Sequence, residues 1–463
     1  MDFANAWDIY ADKRQQIEQV NQEYLRFLTE GKTEREAVAY LETEAVQSGF
    51  VPLALVMNGE VKVTPGLKVY LNYREKAFIA AIIGQQPLEK GLNIIGAHLD
   101  APRLDLKPNP LYEAEKLGWL KTHYYGGIKK YQWVALPLAL HGVVFTRSGQ
   151  RLQIVIGEKG EDPVFTITDL LPHLAAKQME KKAAEVISGE GLNLLVGSIP
   201  CEDKEAKERV KAALLKILKE QYGIEPEDFA RAELEAVPAG PAREVGLDRS
   251  LIGGFGQDDR VCAWTAWAAL RDLAETPEYT AVALLVDKEE IGSTGNTGMT
   301  AAFFANMVAE LINAQSQPYN EILLRRALAN SRALSADVSV AVDPNFEGVV
   351  DKYNAARLGQ GLVVTKYTGA RGKSGTSDAN AEFVARVLQI FSEADVPWQV
   401  GELGAVDVGG GGTIAKFMAE TGMDVLDCGV ALLSMHSPFE VASKVDIFAA
   451  YEGYKAFYRK AGQ

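Results

Sequence analysis

The sequence predicts an α/β protein whose sheet is interrupted by a large insertion, and three observations carry that reading. Short β-rich runs begin at Lys68 and resume near the strand-like AVALLVDKEE, with further alternation of helix and strand after it. At 463 residues the chain is longer than one hydrophobic core usually supports. The stretch VPAGPA at 237–242 has the Gly/Pro composition of a boundary. The expected organisation is a discontinuous domain of residues 1–101 and 242–463 that encloses residues 102–241.

Along the chain, DIYADKRQQIEQVNQEYLRFLTE and TEREAVAYLETEAVQSGF place apolar side chains at helical spacing on a charged background, which predicts two amphipathic helices. VYLNY, AFIAAIIG and LNIIGAHLD then read as strands entering a sheet. Residues 134–145 are too short for a membrane span, contain Pro137 and His141, and read as a core strand or helix. RLQIVIGE is strand-like. In the charged helix near CEDKEAKERVKAALLKILKEQYG, Val210, Leu214, Ile217 and Leu218 fall on one face, expected to pack inward. DRVCAWTAWAALRDLAE reads as helix, and GGGG at 409–412 implies a close backbone approach or a mobile loop.

Composition narrows the function. Hydrophobic residues make up 47% and charged residues 24%, an ordinary globular balance. A formal charge of -14 disfavours nucleic acid and anionic membrane as partners. The N-terminus MDFANAWDIYADKRQQ lacks the basic and apolar regions of a secretory signal, so a cytoplasmic location is expected. Cys201, Cys262 and Cys428 are widely spaced and form no C-x-x-C pattern, which predicts free thiols rather than a disulfide framework or a thiolate zinc site.

The chemistry concentrates in GAHLDAP, GGFGQDDRVCAW, LVDKEEIGSTG, LSADVSVAVDPN and LLSMHSPFE, each with imidazole or carboxylate at the end of an apolar run. Strand ends are where open α/β sheets bind ligands. None of the five histidines opens an H-E-x-x-H helix, so metal ligands would come from separate segments. His98 and Asp100 share a strand face, a spacing that suits a metal ligand and its orienting carboxylate or, equally, a satisfied core histidine. Asp258 precedes a helix, where it could cap that helix or bridge two cations. Glu289 and Glu290 are adjacent carboxylates after a buried strand, and repel unless a cation or proton intervenes. Asp337 could be a turn aspartate and His436 a core histidine. Together, two imidazoles and three carboxylates suffice for two divalent ions roughly 3.5–4 Å apart, with one carboxylate left as base.

In these segments, and over nearly its whole length, the chain resembles the M18 family of metallo-aminopeptidases, the aspartyl aminopeptidase and aminopeptidase I family, and its bacterial branch most. DKEEIGS with LSMHS is jointly specific, whereas HLD and QDDR are weak singly. The resemblance implies His98 and Asp337 as ligands of one metal, Glu290 and His436 of the other, Asp258 as the bridge, Glu289 as general base, and Asp100 as the aspartate that holds the first histidine. Two zinc ions, or cobalt or manganese, would occupy the site. The resemblance also implies a metallo-aminopeptidase domain with a mixed central sheet flanked by helices, and a β-rich dimerisation domain at 102–241. Peptides would be the substrates, and dimers could assemble into a tetrahedral dodecamer. Lys366 and Arg371 match a basic region associated with recognition of acidic side chains, and a solvated basic turn is the alternative. His123 matches histidines that reach a neighbouring subunit's active site. The chain departs from the family at Val340 and Asp343, where many members carry histidines, so strict preference for acidic residues does not transfer. His141 and His173 read as packing or surface residues. The rival readings are a neighbouring two-metal aminopeptidase family and an inert peptide-binding or shell-forming homologue, against which Glu289 argues.

Overall fold

A computed structural model describes residues 3–315, 319–369 and 371–462. It divides into two compact units, one of Met1–Asp100, Ala242–Met435 and Phe439–Gln463, the other of Ala101–Pro241 with His436–Pro438.

The first unit opens with helices. Arg14–Glu30 buries Ile17, Asn21, Tyr24, Phe27 and Leu28 on one face, and ends at Gly31. The next, Glu34–Gln47, starts at Thr33, whose hydroxyl accepts the Glu36 amide at 3.3 Å while the Glu36 carboxylate accepts the Thr33 amide at 3.1 Å. This reciprocal cap satisfies two amides that have no partner within the helix.

Among the described residues the unit's main sheet has nine strands, in the order Val51–Pro52, Lys68–Tyr73, Ala77–Ile82, Thr280–Val286, Leu92–His98, Arg332–Ser335, Asp424–Gly429, Leu362–Thr365 and Trp398–Val400. Leu92–His98 runs parallel to both its neighbours, and Ala77–Ile82 is antiparallel to Thr280–Val286, so the sheet is mixed. Leu92–His98 and Thr280–Val286 are buried along their whole length, as continuous apolar strands covered on both faces should be. Alternate side chains feed two cores. Ile95, Ala97, Ala283 and Leu285 pack with the helices Gln257–Arg271 and Lys444–Lys460, whereas Ile94, Val282 and Leu284 pack with Phe303–Gln315. Every residue from Gln257 to Leu270 is buried, including Trp264 and Trp267, which marks an interior helix. A second sheet of five strands joins Arg243–Val245, Leu251–Gly254, Glu440–Ser443, Ala431–Leu433 and Ser339–Val340. The tetraglycine is a close approach of backbones: the Gly369 amide donates to the Gly411 carbonyl at 2.7 Å, and a methyl on Gly412 would stand 3.1 Å from the Gly375 carbonyl.

The other unit is built on an antiparallel sheet in the order Arg151–Ile156, Leu138–Phe145, Ala232–Pro238, Arg103–Ala114, Leu117–Tyr125 and Asn193–Gly197. Residues 138–145 are therefore strand. Helix Arg209–Tyr222 ends at Gly223 in the left-handed conformation (φ 71°) that glycine adopts without strain. Its inward face departs from expectation at one place: Val210 is buried and Leu218 packs on the local core, but Ile217 stays 41% exposed. The three cysteines are free, and among the described residues no helix is long and apolar enough to cross a membrane.

Asp446, in the first turn of Lys444–Lys460, is fully buried and accepts the amides of Gly359 and Gly361, each at 2.7 Å. Asp446→Ala leaves both amides without that partner and should lower stability by about 2–4 kcal/mol, read as a shift of the urea unfolding midpoint.

A candidate metal centre at the strand ends

Parallel strands bring their carboxyl ends to one edge, and the central three do so with register. Val286 pairs with His98, and Ser335 with Gly96, so residues 287–290 and Asp337 leave the sheet on either side of His98. The Leu99 amide donates to the Val286 carbonyl at 2.8 Å, and the Ala336 amide to the Gly96 carbonyl at 2.7 Å, which extends the pairing past the strand ends.

The two glutamates lie in a single 3-10 turn, Glu289–Ile291, between Lys288 and Gly292, both with positive φ (68° and 96°). For Lys288 that conformation costs roughly 1–2 kcal/mol, and contacts around the turn offset it. Asp287, buried just before it, accepts from the Thr297 hydroxyl at 2.6 Å and from the Lys288 amide and ammonium at 2.8 and 2.6 Å. Asp100 holds the glutamates themselves: one carboxylate oxygen accepts the Glu289 amide and the other the Glu290 amide, each at 3.1 Å.

His98 is buried at the centre. Its Nδ1 lies 3.0 Å from the Asp100 carbonyl and 3.4 Å from an Asp100 carboxylate oxygen. A carbonyl only accepts, so Nδ1 carries the proton. In the neutral ring Nε2 then keeps its lone pair, and it faces Asp258 Oδ1 at 3.2 Å and Glu289 Oε2 at 4.0 Å. A lone pair against carboxylate oxygens is repulsive unless a proton or a cation lies between them. Burial opposes charging His98, but the carboxylates of Asp100 and Asp258 beside it hold its pKa well above the ordinary imidazole value. The surrounding acids report the same crowding. Asp259 and Asp337 are pushed far above the usual carboxylate range, first by burial and then by neighbouring carboxylates, which for Asp337 are Asp259, Glu289 and Asp258.

Possible ligand atoms fall into two overlapping groups, His98 with Asp258 and Glu290, and His98 with Glu289 and Asp337, each within 4.8 Å. His98, Asp258, Glu289, Glu290 and Asp337 thus come together, and Asp100 braces them. Asp258 sits where the backbone is not yet helical, beside a cis peptide to Asp259, whose carboxylate accepts the His98 amide at 3.3 Å. His436 is in neither group. It falls with the second unit, in a left-handed conformation (φ 64°) that non-glycine residues seldom adopt, and its Nδ1 donates to the Gly127 carbonyl at 2.7 Å. In the neutral ring that bond places the lone pair on Nε2.

None of the substrate-side candidates belongs to these groups. Lys366 pairs with Asp378 at 3.2 Å, an acid that Lys373 also contacts at 2.7 Å, and Arg371 lies in the same exposed turn. Val340 is half-buried in a short strand, and Asp343 accepts from the Asn345 amide and side chain at 2.8 and 2.9 Å. His123 is exposed on Leu117–Tyr125, with Nδ1 2.8 Å from the Tyr124 carbonyl. His141 is buried against Glu158 at 3.0 Å, a packing role.

Sequence reading passed over three contributors. Glu440 accepts the Asp258 amide at 3.1 Å, Asp259 anchors His98, and Gly429 lets the chain at Asp337 pass so closely that a methyl group there would overlap the Asp337 backbone. The doubled aspartate of QDDR and the glutamate closing LLSMHSPFE were the available signals; Gly429 in LDCGV offered none.

The family model for aminopeptidase I zinc metalloproteases (M18) matches residues 27–458. A probable M18 family aminopeptidase 1 from Clostridium acetobutylicum is 51% identical over 457 residues, 98% of this chain and 98% of that protein. The crystal structure of an M18-family aminopeptidase from Thermotoga maritima superposes with a TM-score of 0.94 at 48% identity, covering 99% of this chain and 100% of that one. The dodecamer of an aminopeptidase from S. cerevisiae shares the fold, with a TM-score of 0.78 at 22% identity over 97% of this chain and 98% of that one.

Gly429→Ala should push Asp337 out of place. The urea unfolding midpoint is expected to fall, and an unchanged midpoint would refute the steric role of Gly429.

Proposed function

The chain belongs to the M18 family of zinc aminopeptidases, and from that premise we propose that it removes N-terminal residues from peptides at a dinuclear centre with Glu289 as general base. The observation that carries this reading is the lone pair of His98 Nε2 held 3.2 Å from Asp258 and 4.0 Å from Glu289 among buried acids, an arrangement that a divalent cation relieves.

The donor set fits zinc, since one imidazole and several carboxylates converge within a few ångströms. His98 and Asp337 would hold one ion, Glu290 one more, and Asp258 would bridge; the family resemblance adds His436 beside Glu290. Cobalt or manganese would suit the same ligands. Bound ions of this kind acidify water and polarise a carbonyl. Glu289 then has the base role: its carboxylate takes the proton of the attacking water and returns it to the leaving amine. Asp100 serves both halves of this machinery, because it touches the imidazole and fixes the amides of both glutamates.

Lys366 and Arg371 would meet the substrate's first side chain. Lys366 already pairs with Asp378, so an acidic substrate residue would have to compete for it, which favours a broad rather than a strictly acidic preference. Residues 102–241 would serve as the dimerisation domain, with His123 reaching a neighbouring subunit's active site; the yeast protein forms a dodecamer, and the family resemblance implies that dimers of this chain could assemble into a tetrahedral one. The free cysteines suit a reducing cytoplasm.

Release of p-nitroaniline from a panel of aminoacyl p-nitroanilides should vanish on chelation and return with added zinc; no release from any substrate would favour an inert homologue. Glu289→Gln should keep its zinc while kcat falls roughly 10²–10⁴-fold, because proton transfer is lost and the ligands remain. Full activity in that variant would sink the base assignment. Asp258→Ala should lose zinc from both positions, and retention of two ions per chain would refute the bridge.

A further inference from the structure

Glu440 has no part in the ligand set, yet it is 1% exposed and aims a carboxylate oxygen at the Asp258 amide, 3.1 Å away. The surrounding turn is held from several directions. Gln257 Nε2 donates to the Glu440 carbonyl at 2.7 Å and to the Ile252 carbonyl at 3.1 Å, and the Tyr24 hydroxyl donates to Gln257 Oε1 at 3.2 Å. Gly254, three residues before Gln257, pairs with Glu440 across an antiparallel ladder. Glu440 therefore belongs to the sheet that delivers the chain into the Asp258 turn. The backbone at Asp258 is not yet helical, and its amide donates to the Glu440 carboxylate.

We propose that Glu440 is a positioning residue for Asp258: its carboxylate oxygen holds the Asp258 backbone so that the bridging carboxylate faces His98. The role deepens the two-metal reading and rests on it. What matters is the reach of an acceptor oxygen to one amide. Glu440→Gln keeps an oxygen at that reach and loses the charge, whereas Glu440→Asp keeps the charge and withdraws the oxygen by one methylene.

The test uses the full-length protein. Zinc affinity is measured by competition with a chromophoric chelator, alongside kcat and KM on an aminoacyl p-nitroanilide, with Asp258→Ala as reference. Glu440→Gln is expected within about threefold of the unmodified protein in zinc affinity, and Glu440→Asp roughly 10–100-fold weaker, as for other groups that orient metal ligands. At saturating zinc, Glu440→Asp should lower kcat and leave KM nearly unchanged. Unaltered affinity in both variants overturns the proposal. Equal weakening in both also overturns it, since charge or packing would then be the cause. If Glu440→Asp does not fold, Glu440→Ala replaces it beside Glu440→Gln: zinc weakened tenfold or more in Glu440→Ala and near-normal in Glu440→Gln upholds the acceptor role, and near-normal zinc in both, or equal weakening in both, overturns it. Unchanged zinc affinity in Asp258→Ala would instead overturn the ligand set and this proposal with it, so the two failures are told apart.

Discussion

Too many acids share too little water around His98. Asp100, Asp258 and Asp259 are buried within its reach, Glu289 and Asp337 stand close by, and burial disfavours the charged forms of Asp259 and Asp337. A core arranged in this way is frustrated unless positive charge enters it. The fold creates the condition deliberately: three parallel strands end in register, and each hands a carboxylate or imidazole to the same edge.

Crowded charges need a stiff frame, because small displacements change their repulsion steeply. The frame here is largely backbone. Asp100 spends both oxygens on main-chain amides, Asp259 accepts the His98 amide, and Glu440 accepts that of Asp258. Gly429 contributes by having no side chain where the Asp337 backbone passes. Two cores, one on each face of the sheet, keep these strand ends from sliding.

Much of this was legible in the chain. Leu92–His98 and Thr280–Val286 announce themselves as apolar runs that end abruptly in His98 and in DKEE, because burial of a parallel strand admits few polar residues and its end is where they reappear. The long helices were equally visible in their spacing, although Ile217 shows that periodicity tells which residues share a face and not how deeply each is covered. The braces were hidden. Glu440 acts on a residue 182 positions away, and Gly429 on a backbone 92 positions away, and neither contact leaves a local pattern. The turn at Glu289 was recognisable by composition, but its anchoring by Asp100 exists only once residues 189 and 190 positions apart have met.

The division of the chain carries a consequence for biosynthesis. His98 and Asp100 close the first segment of their unit, and the chain then builds the whole of Ala101–Pro241 before it returns to that unit at Ala242. Asp258, Glu289, Glu290 and Asp337 are made only after that excursion, and Gly429 and Glu440 later still. Synthesis proceeds from the N-terminus, so a growing chain holds the imidazole for 160 residues before Asp258, the first of those acids, is made. The two ligand groups are complete in sequence only at Asp337, and a product truncated before it carries a fragment of them.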